Sequence, residues 1–477
     1  MSGRLPPPAT LHAHTRAAPA AVALALRGDP AGALAPGGLL ARLWRALPTT
    51  GGASGPSRPW TALVADPAGA VVVAVGIAAT IPLPGGLEGA GDEVAAWLAA
   101  VPADDRVHHP GTGALAIGAL PFVPGEPAEL VVPVLTAGAD AAGHAWVTWT
   151  LPHSIPPPPF DDLDEEHPSA PGPRAGGAPQ AVPGVTAVAH RAVAPTLTPV
   201  PAEGDFVAAV EAALEAIARG ELTKVVLARR IDASFARPID PVITLRRLSQ
   251  AEPACTVFAV LDGRRGFLGA TPELLVRRIG TRVESHPLAG TALLPGDRLR
   301  DAAAARALAR SPKDLAEHAA VVSAVRDVLV PRCTALEPTP QPEVVRLRTI
   351  AHLGTWLRGT LGAAPATDAL SLAAALHPTP AVAGAPTPAA LALLARLEPT
   401  GRGRYAGPVG WMDARGDGAF FVGIRSAEVA ATRASVYAGA GIVAGSDPKE
   451  ELAETTLKLT TALDALIGSP SAVPLHP

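Results

Sequence analysis

The stretch GAGIVAGSDPKEELAETTLK, residues 439–458, joins a glycine-rich segment to the start of a helix. The Asp-Pro pair at 447–448 is typical of the first residues of a helix, so the residues that follow are predicted to be helical. On a helix, Glu451, Glu454 and Lys458 share one face because they lie three and then four residues apart. Two carboxylates beside an ammonium predict a cation site next to an anion site, as in a metal-dependent enzyme that acts on a carboxylate.

The composition predicts a large protein with a substantial core. The chain has 477 residues, 48% of them apolar, which is enough for about two to four domains. A net charge of −4 gives no electrostatic reason to expect nucleic acid as a partner. Two cysteines do not make a disulfide framework, which indicates a reducing, cytoplasmic compartment.

No membrane association is expected from the apolar segments. The run at residues 68–81 is shorter than a membrane helix and predicts one buried strand. The apolar patch at residues 20–26 is interrupted by charged residues before any cleavage site, so a signal peptide is not expected.

The first part of the chain carries no recognisable chemistry. It is rich in Ala, Gly and Pro, with short strand-like runs at residues 70–75, 130–135 and 145–151. Residues 153–184 contain a four-proline run and an acidic cluster, which favours a flexible, exposed loop over the alternative of a metal site.

Periodicity becomes clear from residue 205 onward. A helix is predicted to end at Gly220, and the β-branched run after it predicts a strand that carries Lys224. Ser311 followed by proline predicts the start of another helix, on which Asp314 and Glu317 share a face. Further strands are predicted at residues 256–261, 266–270 and 282–286, and a helix at 299–310.

The order of short motifs over residues 205–467 resembles that of the chorismate-utilising enzymes. The motifs are KVVLAR (224–229), GATPELL (269–275), HPLAGT (286–291), SPKDLAEH (311–318), LHPTPAVAG (376–384), YAGPVG (405–410), GIRS (423–426) and the stretch 439–458. This resemblance implies an α/β (α+β) fold in which two antiparallel sheets pack as a sandwich, with helices outside and the active site in a cleft between the sheets. It also implies that residues 1–200 form a variable region adding strands to the same unit, and that residues 201–468 form the chorismate-binding catalytic region.

Two positions indicate a branch of this family. Members that use ammonia tend to carry glutamine where this chain has Lys224, whereas members that add water carry lysine. Aminodeoxychorismate synthases place a lysine where this chain has Ala289. The resemblance therefore implies an isochorismate synthase that acts on chorismate, feeds menaquinone, siderophore or salicylate synthesis, and needs no glutaminase subunit. Two alternatives stay open, namely a salicylate synthase that also releases pyruvate and a non-catalytic binding subunit.

The resemblance implies two catalytic residues. Moving the hydroxyl of chorismate from ring carbon four to carbon two needs an activated water and a protonated leaving group. Lys224, as a neutral amine, is the candidate base, and Glu273, as a neutral acid, is the candidate acid. Burial favours both neutral forms. From the sequence alone, a solvent-facing lysine at a strand end and a turn glutamate remain possible readings.

The resemblance also implies a Mg²⁺ site and a substrate site. Glu317 and Glu454 are the expected direct ligands, whereas Asp314 and Glu451 are expected to act through water. Asp314 is equally well explained as the capping partner of Ser311. Residues expected to bind the substrate are Gly290, Thr291, His352, Tyr405, Arg425, Gly439, Gly441 and Lys458. For His352, a core histidine bonded to backbone is an open alternative.

Overall fold

The structure is a computed structural model that describes residues 10–35, 38–45, 60–157, 194–362 and 367–468. The acidic cluster and most of the predicted loop 153–184 lie outside the described residues. Among the described helices, none is long and apolar enough to cross a membrane.

The strands run in chain order along the described parts of the sequence. The first ten are β1 (Leu11–Ala17), β2 (Thr61–Ala65), β3 (Val71–Val75), β4 (Ala79–Leu83), β5 (Ala103–Asp105), β6 (Leu115–Ala119), β7 (Ala128–Val132), β8 (Leu135–Ala139), β9 (Ala145–Pro152) and β10 (Thr196–Val200). The others are β11 (Lys224–Ser234), β12 (Thr256–Asp262), β13 (Arg265–Thr271), β14 (Leu274–Ile279), β15 (Arg282–His286), β16 (Leu288–Leu293), β17 (Cys333–Pro338), β18 (Glu343–Arg346), β19 (Ile350–Gly354), β20 (Leu357–Leu361), β21 (Gly384–Ala385), β22 (Pro408–Asp413), β23 (Gly418–Val422), β24 (Ser426–Ala430) and β25 (Arg433–Val443).

The α-helices flank these strands. They are α1 (Ala20–Gly28), α2 (Leu39–Arg45), α3 (Ala90–Ala99), α4 (Glu203–Ala218), α5 (Pro241–Ala251), α6 (Arg298–Leu308), α7 (Pro312–Leu329), α8 (Ala369–Leu376), α9 (Thr387–Leu397) and α10 (Pro448–Ile467). Helix α10 begins as predicted, because the Asp447 side chain accepts the backbone N–H groups of Lys449 and Glu450.

The strands form two large sheets and one small sheet. The thirteen-stranded sheet has the order β10-β11-β25-β24-β13-β12-β2-β3-β8-β9-β1-β5, with β21 added beside β11. The nine-stranded sheet has the order β17-β20-β15-β14-β23-β22-β6-β7-β4. A small sheet of β16, β19 and β18 was not expected from the sequence. Neighbouring strands are antiparallel except for the parallel pair of β1 and β5.

The two large sheets pack face to face with helices outside, which confirms the predicted sandwich. Alternation along β2 shows the arrangement. Ala62 and Val64 join the apolar layer between the sheets, whereas Leu63 and Ala65 pack on the opposite face. On that outer face α1, α2, α5 and α10 bury their apolar residues, and α3 and α8 cover the outer face of the nine-stranded sheet. Strands from residues 11–152 belong to both large sheets.

Two strand predictions were wrong in the same way. Residues 68–81 form two strands, β3 and β4, because the chain turns at Gly76, which has a φ of 74°. Residues 130–135 contain the end of β7 and the first residue of β8, and a proline lies between them. An apolar run does not show where the chain turns, since apolar residues also occupy turns, as Ile77 does with 50% of its surface exposed.

Candidate active site

A cavity of about 330 Å³ brings together all fourteen residues predicted as site residues. Strands β11 and β25 of the thirteen-stranded sheet form one wall, and β16 and β19 of the small sheet form another. Helices α7 and α10 border the remaining sides. The fourteen residues are Lys224, Glu273, Gly290, Thr291, Asp314, Glu317, His352, Tyr405, Arg425, Gly439, Gly441, Glu451, Glu454 and Lys458.

Two of these residues lie where the chain crosses between the large sheets. Glu273 lies between β13 and β14, and Arg425 lies between β23 and β24. Each crossing connects a strand of one large sheet to a strand of the other. The cavity therefore lies at the junction of the sheets, as the resemblance implied. The small sheet forms one wall of this cavity, and the sequence did not predict that sheet.

Lys224 is a buried cation at the start of β11. Its side chain is 9% exposed, and Nζ donates to Glu317 Oε1 at 2.8 Å. The reading of Lys224 as a solvent-facing lysine at a strand end is therefore wrong. Glu317 reaches it from α7, so this ion pair joins the helix to the wall of the cavity.

Glu273 is a buried acid in the same cavity. Its residue is 3% exposed, and its backbone N–H donates to Thr271 Oγ1 at 3.2 Å. Burial raises the pKa of Glu273 to about 8, although the charges of Lys224 and Arg425 and a backbone N–H bond from Leu288 oppose the shift. The carboxyl group is therefore mainly protonated at neutral pH and can donate a proton.

Arg425 is held by a chain of hydrogen bonds. Arg425 Nη2 donates to His352 Nε2 at 2.9 Å, and His352 Nδ1 donates to the carbonyl oxygen of Gly290 at 2.8 Å. Because an arginine can only donate, His352 is neutral with its proton on Nδ1. Burial, followed by the charge of Arg425, lowers the pKa of His352 well below its ordinary value, which agrees with this tautomer.

The Arg425 guanidinium is buried without a carboxylate partner among the described residues. The residue is 7% exposed, and its φ of 51° lies in the left-handed region. A buried cation without an ion pair is costly, so the cavity favours an anion at this place. His352 is thus both bonded to backbone, as its alternative reading stated, and in contact with the cavity.

Two glycines of β25 make room for cavity side chains. A Cβ on Gly441 would lie 3.1 Å from Lys224 Cε, and a Cβ on Gly439 would lie 3.3 Å from the hydroxyl of Tyr405. Burial raises the pKa of Tyr405 to about 12, so the hydroxyl stays protonated and can donate a hydrogen bond. The absence of side chains at these glycines is therefore part of the shape of the cavity.

The substitution Gly441→Ala is expected to displace Lys224 while leaving the fold intact. At 3.1 Å the new methyl group is closer to Lys224 Cε than most packed side chains come, so the end of the lysine side chain is displaced by a few tenths of an ångström. We expect the catalytic rate to fall about 10-fold or more, because small displacements of a reacting group reduce rates strongly. The matched control is Gly204→Ala in α4, where a Cβ meets open space. Equal rates for the two variants would contradict this account of Gly441.

The acid-rich side of the cavity is formed by α10. Glu454 Oε1 accepts from Lys458 Nζ at 2.5 Å, and Lys458 also donates to the carbonyl oxygen of Gly439 at 2.9 Å. Burial raises the pKa of Glu451 to about 7, and the charge of Glu454 adds to this shift. For Glu454 burial acts in the same direction, but Lys458, Arg425 and a hydrogen bond with Thr291 together lower its pKa.

Asp314 faces the cavity from the first turn of α7. Its backbone N–H donates to Ser311 Oγ at 3.3 Å, so Ser311 is the predicted helix cap. The N–H of Ser311 bonds to the carbonyl oxygen of Leu308 at 3.2 Å, so the reciprocal bond from the Asp314 carboxylate is not required. Asp314 instead lies against Gly290, whose φ is 70° and where a Cβ would approach Asp314 Cβ to 3.1 Å.

The donor set of the four acids fits a hydrated magnesium ion. All four offer carboxylate oxygens. Burial raises the pKa of Glu451, and the negative charge of Glu454 raises it further, so a cation is favoured here. Among the described residues, however, no three of these acids have ligand atoms within 4.8 Å of one another. Lys224 and Lys458 neutralise Glu317 and Glu454. Mg²⁺ keeps several of its waters, so it does not need all four carboxylates to converge.

The cavity also contains residues that the sequence did not single out. Lys313 is exposed and lines it, so three of the four lysines of the chain are cavity residues. The scarcity of lysine was the signal that could have identified Lys313. Arg402 is buried, pairs with Glu398 at 2.6 Å and donates to the carbonyl oxygens of Val226 and Val382. It supports the wall of the cavity, and no sequence signal distinguished it from the other arginines.

Comparison with known proteins identifies the family. A polar cavity between packed sheets, with buried ionisable groups converging on it, is the arrangement of an enzyme site for a small molecule. The sequence model of the family described as "Chorismate binding enzyme" matches residues 186–467, which is more than half of the chain. The chain therefore belongs to the chorismate-binding enzyme family, as its motifs indicated.

The chain is also similar in sequence and in structure to individual isochorismate synthases. The chain is 43% identical over 277 residues to the isochorismate synthase DhbC of Bacillus subtilis, covering 57% of this chain and 69% of the relative. It is 39% identical over 266 residues to the isochorismate synthase EntC of Escherichia coli, covering 56% and 68%. The structure of MenF, the menaquinone-specific isochorismate synthase of Escherichia coli, matches with a TM-score of 0.68 at 25% identity, over 90% of this chain and 98% of that chain.

Proposed function

We propose that the protein is an isochorismate synthase that converts chorismate to isochorismate. The observation that carries this proposal is a buried acid with a pKa of about 8, Glu273, in the same cavity as the buried amine of Lys224. The reaction adds the oxygen of water to ring carbon two and breaks the bond between carbon four and its hydroxyl. One water enters and one leaves, so the reaction is an isomerisation.

The two catalytic residues divide the proton transfers. Lys224 acts as a neutral amine, after its ammonium proton has passed to solvent, and takes a proton from the attacking water, while Glu273 donates its proton to the departing hydroxyl. The proton gained by Lys224 then replaces the one lost by Glu273, which restores both residues for the next turnover. In the resting cavity Glu317 holds Lys224 Nζ in place. Because Glu273 is mainly protonated at neutral pH, it is ready to act as the acid without a preceding proton transfer.

The charges of the cavity suit a substrate with two carboxylates. Arg425 is a buried donor whose partners among the described residues include no carboxylate, so one carboxylate of chorismate can complete an ion pair there. Tyr405 supplies a hydroxyl donor, and Gly439 and Gly441 allow close approach. The other carboxylate is assigned to the side formed by α10, near Lys458 and Thr291.

We expect Arg425→Met to weaken the binding of chorismate and to stabilise the fold. The apolar side chain removes a buried charge that lacks a carboxylate partner, so the free energy of unfolding should rise by about 1–3 kcal/mol. Without the guanidinium, KM for chorismate should rise about 100-fold or more. Denaturant unfolding and steady-state kinetics measure the two effects, and Arg433→Met, at the exposed start of β25, is the control. Loss of stability without a change in KM would contradict this role.

Magnesium is the divalent cation that we assign to the acid-rich side. Glu317 and Glu454 would hold it directly, with Asp314 and Glu451 acting through water. When bound, the ion would attract the ring carboxylate and offset the repulsion between the substrate and the acids. Lys458 and Thr291 contact the Glu454 carboxylate and hold it in position for the ion.

Removal of divalent cations is expected to stop turnover and restoration of Mg²⁺ to recover it. Glu454→Gln removes one negative charge while keeping the shape of the side chain, and should raise the Mg²⁺ concentration for half-maximal rate about 10-fold or more. Glu450→Gln, an exposed neighbour at the edge of the cavity, should change this concentration by less than about 3-fold. Full activity in the presence of a strong chelator would contradict the magnesium assignment.

The function is tested by incubating purified protein with chorismate, with and without Mg²⁺, and separating the products by chromatography. Formation of isochorismate supports the proposal if no pyruvate is released and if neither glutamine nor ammonia has to be added. Salicylate with equal pyruvate would show that the protein is a salicylate synthase. Failure to consume chorismate would leave the fold and family in place but remove the proposed activity.

A further inference from the structure

We propose that His109, Asp140 and His144 form a binding site for a divalent transition-metal ion such as Zn²⁺, separate from the active site. None of the three lines the central cavity. Within the described part of the chain, they are the group of metal-ligating side chains whose ligand atoms all lie within 4.8 Å of one another. Two imidazoles and one carboxylate are a ligand set that suits Zn²⁺ and its neighbours in the periodic table.

The contacts of the His109 ring favour a cation at its Nε2 nitrogen. His109 Nδ1 lies 3.1 Å from the carbonyl oxygen of Pro110, which can only accept, so Nδ1 carries a proton. In the neutral ring the lone pair of Nε2 then faces Asp140 Oδ2 at 2.9 Å. Two acceptors at this distance repel each other unless a positive charge lies between them, either a second proton on the ring or a metal ion. A bond from Nδ1–H to backbone is also the usual way in which a metal-binding histidine is oriented.

His144 brings a second ring nitrogen to the same carboxylate oxygen. Its Nδ1 lies 2.8 Å from Asp140 Oδ2, and the rings of His109 and His144 are 5.9 Å apart. If protons alone satisfied both contacts, His109 would carry protons on both ring nitrogens, and it would share one carboxylate oxygen with a neutral His144 protonated on Nδ1. A single divalent ion replaces both protons and bonds to both nitrogens.

The backbone fixes the positions of all three side chains. Asp140 and His144 bracket the turn between β8 and β9, where Asp140 N–H donates to the carbonyl oxygen of His144 at 3.0 Å and His144 N–H donates to Asp140 Oδ1 at 2.9 Å. His109 lies in the connection between β5 and β6, and its ring packs 4.8 Å from the ring of Trp146. The carbonyl oxygen of His109 accepts a hydrogen bond from Arg415.

The geometry requires only small movements to admit the ion. Zn²⁺ bonds to nitrogen and oxygen at about 2.0–2.2 Å, which places neighbouring ligand atoms about 3.3 Å apart. The two nitrogens therefore move about 0.5 Å away from Asp140 Oδ2. The His144 side chain is 68% exposed, so it can make this adjustment and leaves the fourth position open to water. The bound ion would join the turn between β8 and β9 to the connection between β5 and β6.

The experiment is a Zn²⁺ titration of the full chain after removal of any purification tag. Excess Mg²⁺ is present so that the acids of the central cavity are occupied. One Zn²⁺ is expected to bind per chain, and the affinity should fall about 100-fold or more in the double variant His109→Gln with His144→Gln. Zn²⁺ should raise the Tm of the unmodified protein by about 2–4 °C and leave that of the double variant unchanged.

Three comparisons make the result decisive. His108→Gln changes an adjacent exposed histidine outside the group and should bind Zn²⁺ as the unmodified chain does. His144→Gln alone changes a mostly exposed side chain, so weakened binding in this variant cannot be attributed to misfolding. Binding that survives in the double variant, or that is lost in Glu454→Gln, would place the ion elsewhere and overturn the proposal.

Discussion

Lys224→Ala is expected to reduce turnover of chorismate by at least about 10³-fold, the upper part of the range for a lost acid or base. The alanine cannot take a proton from water, and no other lysine lies at the start of β11. Lys224→Gln should be equally inactive, although its amide can still bond to Glu317. The rate constant measured at saturating chorismate and Mg²⁺ reports this loss.

The fold should survive these substitutions. Lys224 contributes one ion pair with Glu317, whose side chain is 20% exposed and can be solvated when the lysine is absent. Lys449→Ala is the matched control, since Lys449 is an exposed lysine in the first turn of α10 outside the cavity. Turnover near the normal rate in Lys224→Ala, with Mg²⁺ and chorismate saturating, would remove Lys224 from the mechanism.

Glu273→Gln is expected to reduce turnover by about 10²–10⁴-fold while stabilising the fold at alkaline pH. The amide keeps the shape of the neutral acid but cannot donate its proton to the leaving hydroxyl. In the unmodified protein the folded-state pKa of about 8 lies above the ordinary value of 4.5. Folding therefore favours the protonated form, and stability decreases as pH rises through this window.

The glutamine variant lacks this titration. Relative to the unmodified protein it should gain on the order of 4 kcal/mol in the free energy of unfolding as pH rises from near 4.5 to near 8. The rate of the unmodified enzyme should fall above about pH 8, where Glu273 loses its proton. Glu252→Gln is the control, because Glu252 is buried with a raised pKa outside the cavity and should retain turnover. A constant stability difference across this pH range would contradict the assigned pKa.

The residues that the motifs singled out all lie around one cavity, whereas two of the strands predicted from apolar runs were wrong. Ordered motifs located Lys224, Glu273 and Arg425, because a resemblance carries the position of each residue along with its type. The start of α10 was predictable from local chemistry, since an Asp-Pro pair caps a helix without help from the rest of the fold.

Contacts between distant segments could not be predicted in this way. The pair of Lys224 and Glu317 joins residues 93 positions apart, and the bond of His352 to Arg425 joins residues 73 positions apart. The small sheet of β16, β18 and β19 likewise depends on pairing across the chain. Local patterns do not specify such partners, so the neutral state of His352 and the support of the cavity wall by Arg402 became visible only in the structure.

The origin of the new hydroxyl group is determined by turnover of chorismate in water enriched in oxygen-18, with the isochorismate analysed by mass spectrometry at early times. Attack by water predicts one heavy oxygen in each isochorismate molecule, at the carbon-two hydroxyl. Lys224→Ala and Glu273→Gln should both fail to produce it at the normal rate. Isochorismate that forms without the heavy oxygen would mean that the hydroxyl migrates within the substrate, and would contradict the proposed roles of both residues.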